Sequence, residues 1–496
     1  MAVRVGVLCT TLLLCGALWG GLVSFAAAES MMAPPPGPLQ QSFSDLLGED
    51  EGRREQAVRT LIEQGDATLL PRLEEIRTNA DRSLRLALKP IADAWKHRAN
   101  LASDDPEVRR SAAIDLGNSG KPAAIEWLEA AAAKESHRWV LYSMEESAQL
   151  LKLASGDPAV QSEAAAKLGE LRSQNAVPAL KELVQAANEP TASQAQARLG
   201  HVAAAAIERI ETWGAWSTAF ETLFRGLSLS SILLIMSLGL AIVFGLMGVI
   251  NMAHGELMMV GAYATFVTQQ AFRAWLPDAW FDSYYLAALP ASFAGAALCG
   301  LILELTVIRF LYGRPLETML ATWGVSLIMI QAARVYFGDL TAVAAPMWLN
   351  GGVQVMVGVF LPFNRLFIIA LSLICVFAIY GLLFRSRVGL RVRAVTQNRN
   401  MSACLGIPTR KVDAYTFAFG SGLAGVAGWA LTLVGNVEPG LGQNYIVDSF
   451  MVVVTGGVGK LAGTIIASLG IGGLNKILEP SLGAVYGKVI ILLLVI

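Results

Sequence analysis

From Arg225 to Glu256 the chain has no Asp, Glu, Lys or Arg between its two end residues, a run longer than the roughly 20 apolar residues that cross a bilayer. That run limits what the chain can fold into more than any other feature. Lipid offers no water to backbone N–H and C=O groups, so a spanning segment must close its own hydrogen bonds as a helix or join a closed barrel. Further apolar runs follow. Spans are expected near 227–250, 252–271, 284–308, 318–337, 362–384, 414–436, 447–474 and from 484 onward. The expected fold class is therefore all-α, a polytopic transmembrane helical bundle of about eight spans. Only 16% of the 496 residues are charged, against about 25% in soluble domains. The net charge of -1 gives no reason to expect a nucleic-acid partner.

A soluble helical domain is expected ahead of the bundle. Residues 1–28 read as a signal peptide, with Arg4 in the n-region, an apolar Val5 to Phe25 stretch and Ala26-Ala27-Ala28 as the cleavage site. An uncleaved first span is the alternative. Residues 29–40 form a Pro-rich linker, and 41–213 turn charged and alanine-rich. Within 41–213, SDDPEVRRSAAIDLG from Ser103 echoes SGDPAVQSEAAAKLG from Ser155, with a weaker copy from Gly52 to Gly65. In each, Asp or Ser caps a helix start, Pro fits the first turn and Gly ends the helix. The pattern resembles HEAT-like helical repeats, which bury their apolar faces by stacking. Such a unit serves either as a docking surface or as a spacer. His137 and His201 lack metal-ligand spacing, so no metal site is expected.

Charge sets the orientation of the rest. Arg309 and Arg314 mark one cytoplasmic loop, and the arginine-dense stretch from Arg385 to Lys411 marks the other. Counting back, the first span enters from outside, which puts the helical domain in the periplasm. Trp275, Trp280, Tyr284 and Tyr285 read as membrane-interface anchors. Cys299, Cys375 and Cys404 lie in or beside apolar spans and read as packing residues. Gly420, Gly422, Gly425 and Gly428 allow close helix approach. The last apolar run stops at Ile496 before it is long enough to cross, so the protein is expected to continue. Residues 214–496 form the expected membrane domain.

The Arg385–Ile407 stretch carries a resemblance. Gly389, Leu390, Arg393, Ala394, Val395, Gln397, Asn398, Met401, Gly406 and Ile407 fall in the order GLxxRAVxQNxxMxxxxGI. This resembles the coupling segment of inner-membrane permeases of ABC importers in the branched-chain amino acid and urea uptake family. The resemblance implies that Gly389, Arg391, Arg393, Gln397, Asn398 and Gly406 couple the chain to an ATPase. It also implies a second permease in a heterodimer, two ATP-binding subunits, a periplasmic substrate-binding protein and a multi-pass place in a bacterial inner membrane. The chain has no GxxxxGK[ST] loop, so it is not expected to be an enzyme, and no cofactor is implied.

Three stretches are candidates for the substrate pathway. In GLMGVINMAHGELMMVGAY, Asn251, His254 and Glu256 interrupt an apolar run. They either face a pathway or sit at the cytoplasmic turn, where polar residues cost little. Thr318, Thr322 and Ser326 share one helix face by their i, i+4, i+8 spacing. They either line a pore or bond back to their own helix. In VVVTGGVGKLAGT, Lys460 and paired glycines break the span, and Gly456-Gly457 is a candidate re-entrant turn. This wording, and LNKILEP after it, resemble the urea branch of the family, the amino-acid branch having Ser where Lys460 stands. The implied function is ATP-driven translocation of urea by alternating access. The same machine carrying a branched-chain amino acid is the alternative, and a stand-alone urea channel a further one.

Overall fold

The computed structural model describes residues 37–46, 51–65, 67–79, 82–190 and 193–495. The expected signal peptide lies outside the described residues, as does the linker up to residue 36. Among the described residues the fold is all-α apart from one hairpin, Gly352–Met356 paired antiparallel with Val359–Pro362. This hairpin lies in the loop between two expected spans, where hydropathy carries no strand signal. The chain divides into two compact units, Met1–Gly214 and Ala215–Ile496.

The first unit is a stack of short helices. Glu51–Gln64, Leu70–Asn79 and Arg82–Asn100 enclose Leu61, Leu73, Leu88, Ile91 and Trp95. Pro106–Asn118, Ala123–Ala132 and Arg138–Leu153 enclose Ala113, Leu116, Leu128 and Met144. Trp127 packs against both groups and makes the core continuous. The two repeat starts fold alike. Asp105 accepts the Glu107 N–H at 2.9 Å and Asp157 accepts the Ala159 N–H at 2.9 Å, each with Pro in the first turn.

The expected role of the repeat glycines holds only at Gly65. Gly117 and Gly169 lie inside their helices, which run to Asn118 and Leu171. A Cβ at Gly117 would stand 2.6 Å from Ser147 Oγ, and one at Gly169 would stand 3.0 Å from Ala206 Cβ. These glycines exist for close helix approach, and sequence spacing alone does not tell that from a helix stop.

Arg109 grips Glu135 with two hydrogen bonds of 2.7 and 3.1 Å. Glu135 also accepts the N–H groups of His137 and Ser136. The Arg109 hydrogen bond, assisted by those backbone N–H groups, holds the Glu135 carboxyl below its ordinary range. Its contribution to stability is therefore complete above the unfolded value of about 4.3 and is lost as pH falls through the lower folded value. Glu135→Gln should lower the thermal midpoint of this unit at neutral pH, followed by protease susceptibility on heating. The gap to wild type should close as the pH drops below about 4. A gap that does not change with pH would refute the assignment.

The second unit is organised around the helix Thr409–Leu431, buried along nearly its whole length from Val412. Its glycines point at different neighbours. Gly420 meets Gly239 and Val243, Gly422 meets Phe293, Gly425 meets Ser292 and Ala296, and Gly428 meets Met258 and Ala262. The helices Gln194–Met247, His254–Trp275 and Tyr284–Thr306 therefore approach it at backbone distance. At one end Trp429 stacks on Tyr285 at 4.5 Å, and each ring donates to the other residue's carbonyl at 3.0 Å. Tyr284 and Tyr285 are thus fully buried core residues, correcting the expectation of interface anchors, while Trp275 and Trp280 are exposed. Cys375 is buried, but Cys404 is exposed, so it is not a packing residue.

Among the described residues, five helical segments are long and apolar enough to cross a membrane: Gln194–Met247, Ala279–Phe310, Pro315–Phe337, Phe363–Arg385 and Leu461–Pro480. The expected span 447–474 is broken instead. Leu441–Gly456 ends at Gly457 (φ 84°), Gly459 has φ 78°, and a new helix runs Leu461–Leu482. Gly457 and Gly459 adopt positive φ that other residues resist, while Gly456 stays helical and packs directly on Gly463.

The glycine contacts around Thr409–Leu431 predict a contrast. A methyl at Gly428 collides with the Met258 carbonyl, whereas one at Gly435 meets nothing within 4 Å. Gly428→Ala should destabilise the bundle by about 1–3 kcal/mol through overpacking. Gly435→Ala should leave the thermal midpoint of the detergent-solubilised protein unchanged.

Candidate functional site

The coupling segment folds as two short helices, Arg387–Gln397 and Arg399–Cys404. Ser386 Oγ accepts the Gly389 N–H at 3.0 Å and starts the first. Asn398 Oδ1 accepts the Met401 N–H at 2.9 Å and starts the second. Gly406 has φ 81° and turns the chain out of the second helix. Gly389 is packed so closely on the carbonyls of Leu382 and Leu383 that a Cβ has no room. The six expected coupling residues thus divide in two. Gly389, Asn398 and Gly406 shape the backbone, while Arg391, Arg393 and Gln397 are exposed to solvent. The Arg393 guanidinium lies 5.2 Å over the Phe384 ring.

Contacts tie this segment to the bundle. Thr396 Oγ1 donates to the Leu246 carbonyl at 3.3 Å. Val392, Val395 and Val412 pack with Leu246 and Ile407. Arg399 forms an ion pair with the buried Asp413 and lies 4.9 Å over the Tyr312 ring. Along the sequence Arg399 is one charge in a basic loop, and neither Asp413 nor Tyr312 stands out. Their spacing of about 100 residues along the chain gives no local signal. A groove of about 480 Å³ opens between Leu246, Leu382, Val388, Arg391, Lys411 and Tyr415.

The polar stretch after Met247 turns back into the bundle. His254 Nε2 lies 3.2 Å from the Met236 carbonyl, although the helix carrying Met236 continues to Met247. At 1.5 Å per residue, that places His254 ~16 Å inward of the helix end. Gly248 makes the turn with φ 67°. His254 is fully buried.

Two of the three expected stretches meet here. Thr322 Oγ1 accepts the Met252 N–H at 3.0 Å. Ser326 and Glu256 are both buried, at 3% and 1% exposed. Asn251, His254, Glu256, Thr318, Thr322 and Ser326 are all at most 3% exposed. Thr318 bonds back to the Arg314 carbonyl at 2.9 Å and Thr322 to the Thr318 carbonyl at 2.9 Å. Of their two readings, back-bonding is the one these contacts display. Asn251 Nδ2, His254 Nδ1 and Glu256 Oε2 have no partner among the described residues. Lys460 does not join this group; it is exposed, at the break before Leu461–Leu482.

A second helix starts beside this cluster. Gly255, in the first turn of His254–Trp275, packs backbone to backbone against Gly442, in the first turn of Leu441–Gly456. Two helix N-termini, each with a partial positive charge, therefore meet beside this cluster. Glu256 lies in the first turn of one of them, where a carboxylate is favoured.

The chain belongs to the family of branched-chain amino acid transport system permease components, whose model matches residues 222–496. It is a membrane transport permease and not an enzyme. Its relatives include the high-affinity branched-chain amino acid transport system permease protein BraD of Pseudomonas aeruginosa. That protein is 30% identical over 51% of this chain and 83% of the relative. LivH of Escherichia coli, named for the same kind of system, is 28% identical over 54% of this chain and 89% of its own length. Residues 108–134 and 160–186 match PBS lyase HEAT-like repeats. No solved structure matches the chain. The relatives carry a branched-chain amino acid name where the Lys460 wording points to urea.

The coupling segment yields a prediction that separates shape from contact. Asn398→Ala should weaken the second short helix by about 1 kcal/mol, seen as faster amide exchange across 399–404. Arg391→Glu should leave exchange there as in wild type, because the side chain is exposed and outside the cap. Unchanged exchange in Asn398→Ala would remove the capping role.

Proposed function

We propose that this chain is a membrane-spanning subunit of an ATP-driven importer and moves a branched-chain amino acid. The observation that carries the reading is the meeting of two helix N-termini at Gly255 and Gly442. Broken helices whose positive ends converge inside a bundle suit the carboxylate of an amino acid. The names of the relatives point the same way.

On this reading a separate ATPase docks on the segment 385–413 and reads Arg391, Arg393 and Gln397. A second permease completes a heterodimer, two ATP-binding subunits supply the energy, and a periplasmic binding protein delivers the solute. Movement of the coupling helices would reach the Leu246 carbonyl through Thr396. From there it would pass through the Gly248 turn to Asn251 and His254, and so open and close the polar break from alternate sides. The first unit would stand on the periplasmic side, as the positive charge at the coupling segment orients the bundle.

Urea is a second reading, favoured by Lys460 in GGVGKLAGT and by the repeat unit, which precedes the family match at residue 222. Its amide donors need acceptors and no fixed counter-charge. ATP-dependent uptake in proteoliposomes holding the permease with its partner subunits and binding protein separates the two. Labelled leucine should enter only with ATP, and Arg391→Glu should reduce its uptake. Urea uptake under the same conditions would move the substrate to the second reading. Solute flux that ignores ATP and the substitution would sink the importer reading.

A further inference from the structure

A second polar site lies toward the Leu431 end of the helix Thr409–Leu431, away from the coupling segment. The helix Thr409–Leu431 connects the two ends, ~30 Å apart at 1.5 Å per residue. There a pocket of about 250 Å³ opens between Leu431, the start of Leu441–Gly456, and the helices Leu461–Leu482 and Ala484–Val495. Asp448 lies in its wall and is only 4% exposed. One carboxylate oxygen, Oδ2, is 3.3 Å from Lys488 Nζ. The other, Oδ1, has no partner among the described residues. Lys488 Nζ also donates to the Asn444 carbonyl at 2.9 Å, and Asn444 Nδ2 donates to Glu438 at 3.2 Å. Lys476 Nζ pairs with Glu479 at 2.5 Å on the same wall.

A buried carboxylate oxygen without a donor is costly. Lys476 is paired with Glu479, and Asn444 with Lys488 and Glu438, so a solute entering the pocket can supply the missing donor. We propose that this pocket is the first binding site of the transported solute, with a solute N–H group donating to Asp448 Oδ1. The solute's oxygen faces the Lys476 and Lys488 amines, each of which has hydrogens left to donate. This rests on the importer reading and adds to it a residue and a side of the membrane. The shared chemistry is an N–H donor joined to an oxygen acceptor, present both in an α-amino acid zwitterion and in urea. A purely anionic solute would meet Asp448, Glu438 and Glu479 at once and is disfavoured.

The test is the concentration dependence of uptake in the reconstituted complex, with leucine and urea as probes. Asp448→Asn keeps the size and removes the charged acceptor. It should raise KM roughly tenfold, the worth of one hydrogen bond to a charged group, with kcat changed less. Asp448→Glu should recover part of the loss. Leu229→Trp, on the pocket wall, should raise KM by narrowing the pocket and covers the case in which Asp448→Asn does not fold. Wild-type uptake with KM unchanged in Asp448→Asn and Leu229→Trp would overturn the site and leave the importer reading standing. Absence of both solutes from wild-type uptake would overturn the importer reading and the site with it.

Discussion

The close packing of one glycine-bearing helix against its neighbours underlies the arrangement of the membrane unit. Inside lipid there is no hydrophobic drive between helices, so association depends on surface fit and on interhelical hydrogen bonds. Gly420, Gly422, Gly425 and Gly428 remove side chains on successive faces of Thr409–Leu431, and at three of the four another backbone comes within a bond or two of contact. The reciprocal hydrogen bonds of Trp429 and Tyr285 pin one end. The Arg399–Asp413 ion pair joins the coupling segment to the other. A helix held in this way can carry a site at each end.

That rigidity gives meaning to the broken elements beside it. His254–Trp275 and Leu441–Gly456 start against one another at Gly255 and Gly442, and such broken helices are tolerable where protein, not lipid, surrounds their ends. Thr322 receives the Met252 N–H and so fixes the returning strand of chain. The polar residues there are partly unsatisfied, as expected where a structure holds groups ready for a changing partner. The Thr396 contact to Leu246 places the coupling helix one turn from the start of this returning segment.

Much of this was legible in the chain itself. The uncharged run before Glu256, the arginine-dense loop and the Asp-Pro helix starts gave the all-α class and the positions of most helices. The residue pattern after Arg385 led to the family. The candidate site was legible only in part. Thr318, Thr322 and Ser326 were found on one face by spacing, and the structure sets Thr322 against Met252 and buries Ser326. Lys460 was grouped with them because it breaks an apolar run, yet a break in sequence does not say which cavity it faces. Asp413 and Asp448 gave no local signal, because each gains its place from a partner on another helix, Arg399 and Lys488.

Local physics therefore settled what is local: which segments must be helical, where Asp105, Asp157 and Asn398 start helices, and which glycines free the backbone. Periodicity could not separate a glycine that ends a helix from one that admits a neighbour, as at Gly117 and Gly169. Nor could it show that Tyr284 and Tyr285 turn inward. The depth of His254, the meeting of Gly255 with Gly442 and the unpaired Asp448 oxygen were decided by tertiary structure alone. Each depends on which backbone groups come together in three dimensions, and hydropathy along a chain carries no record of that.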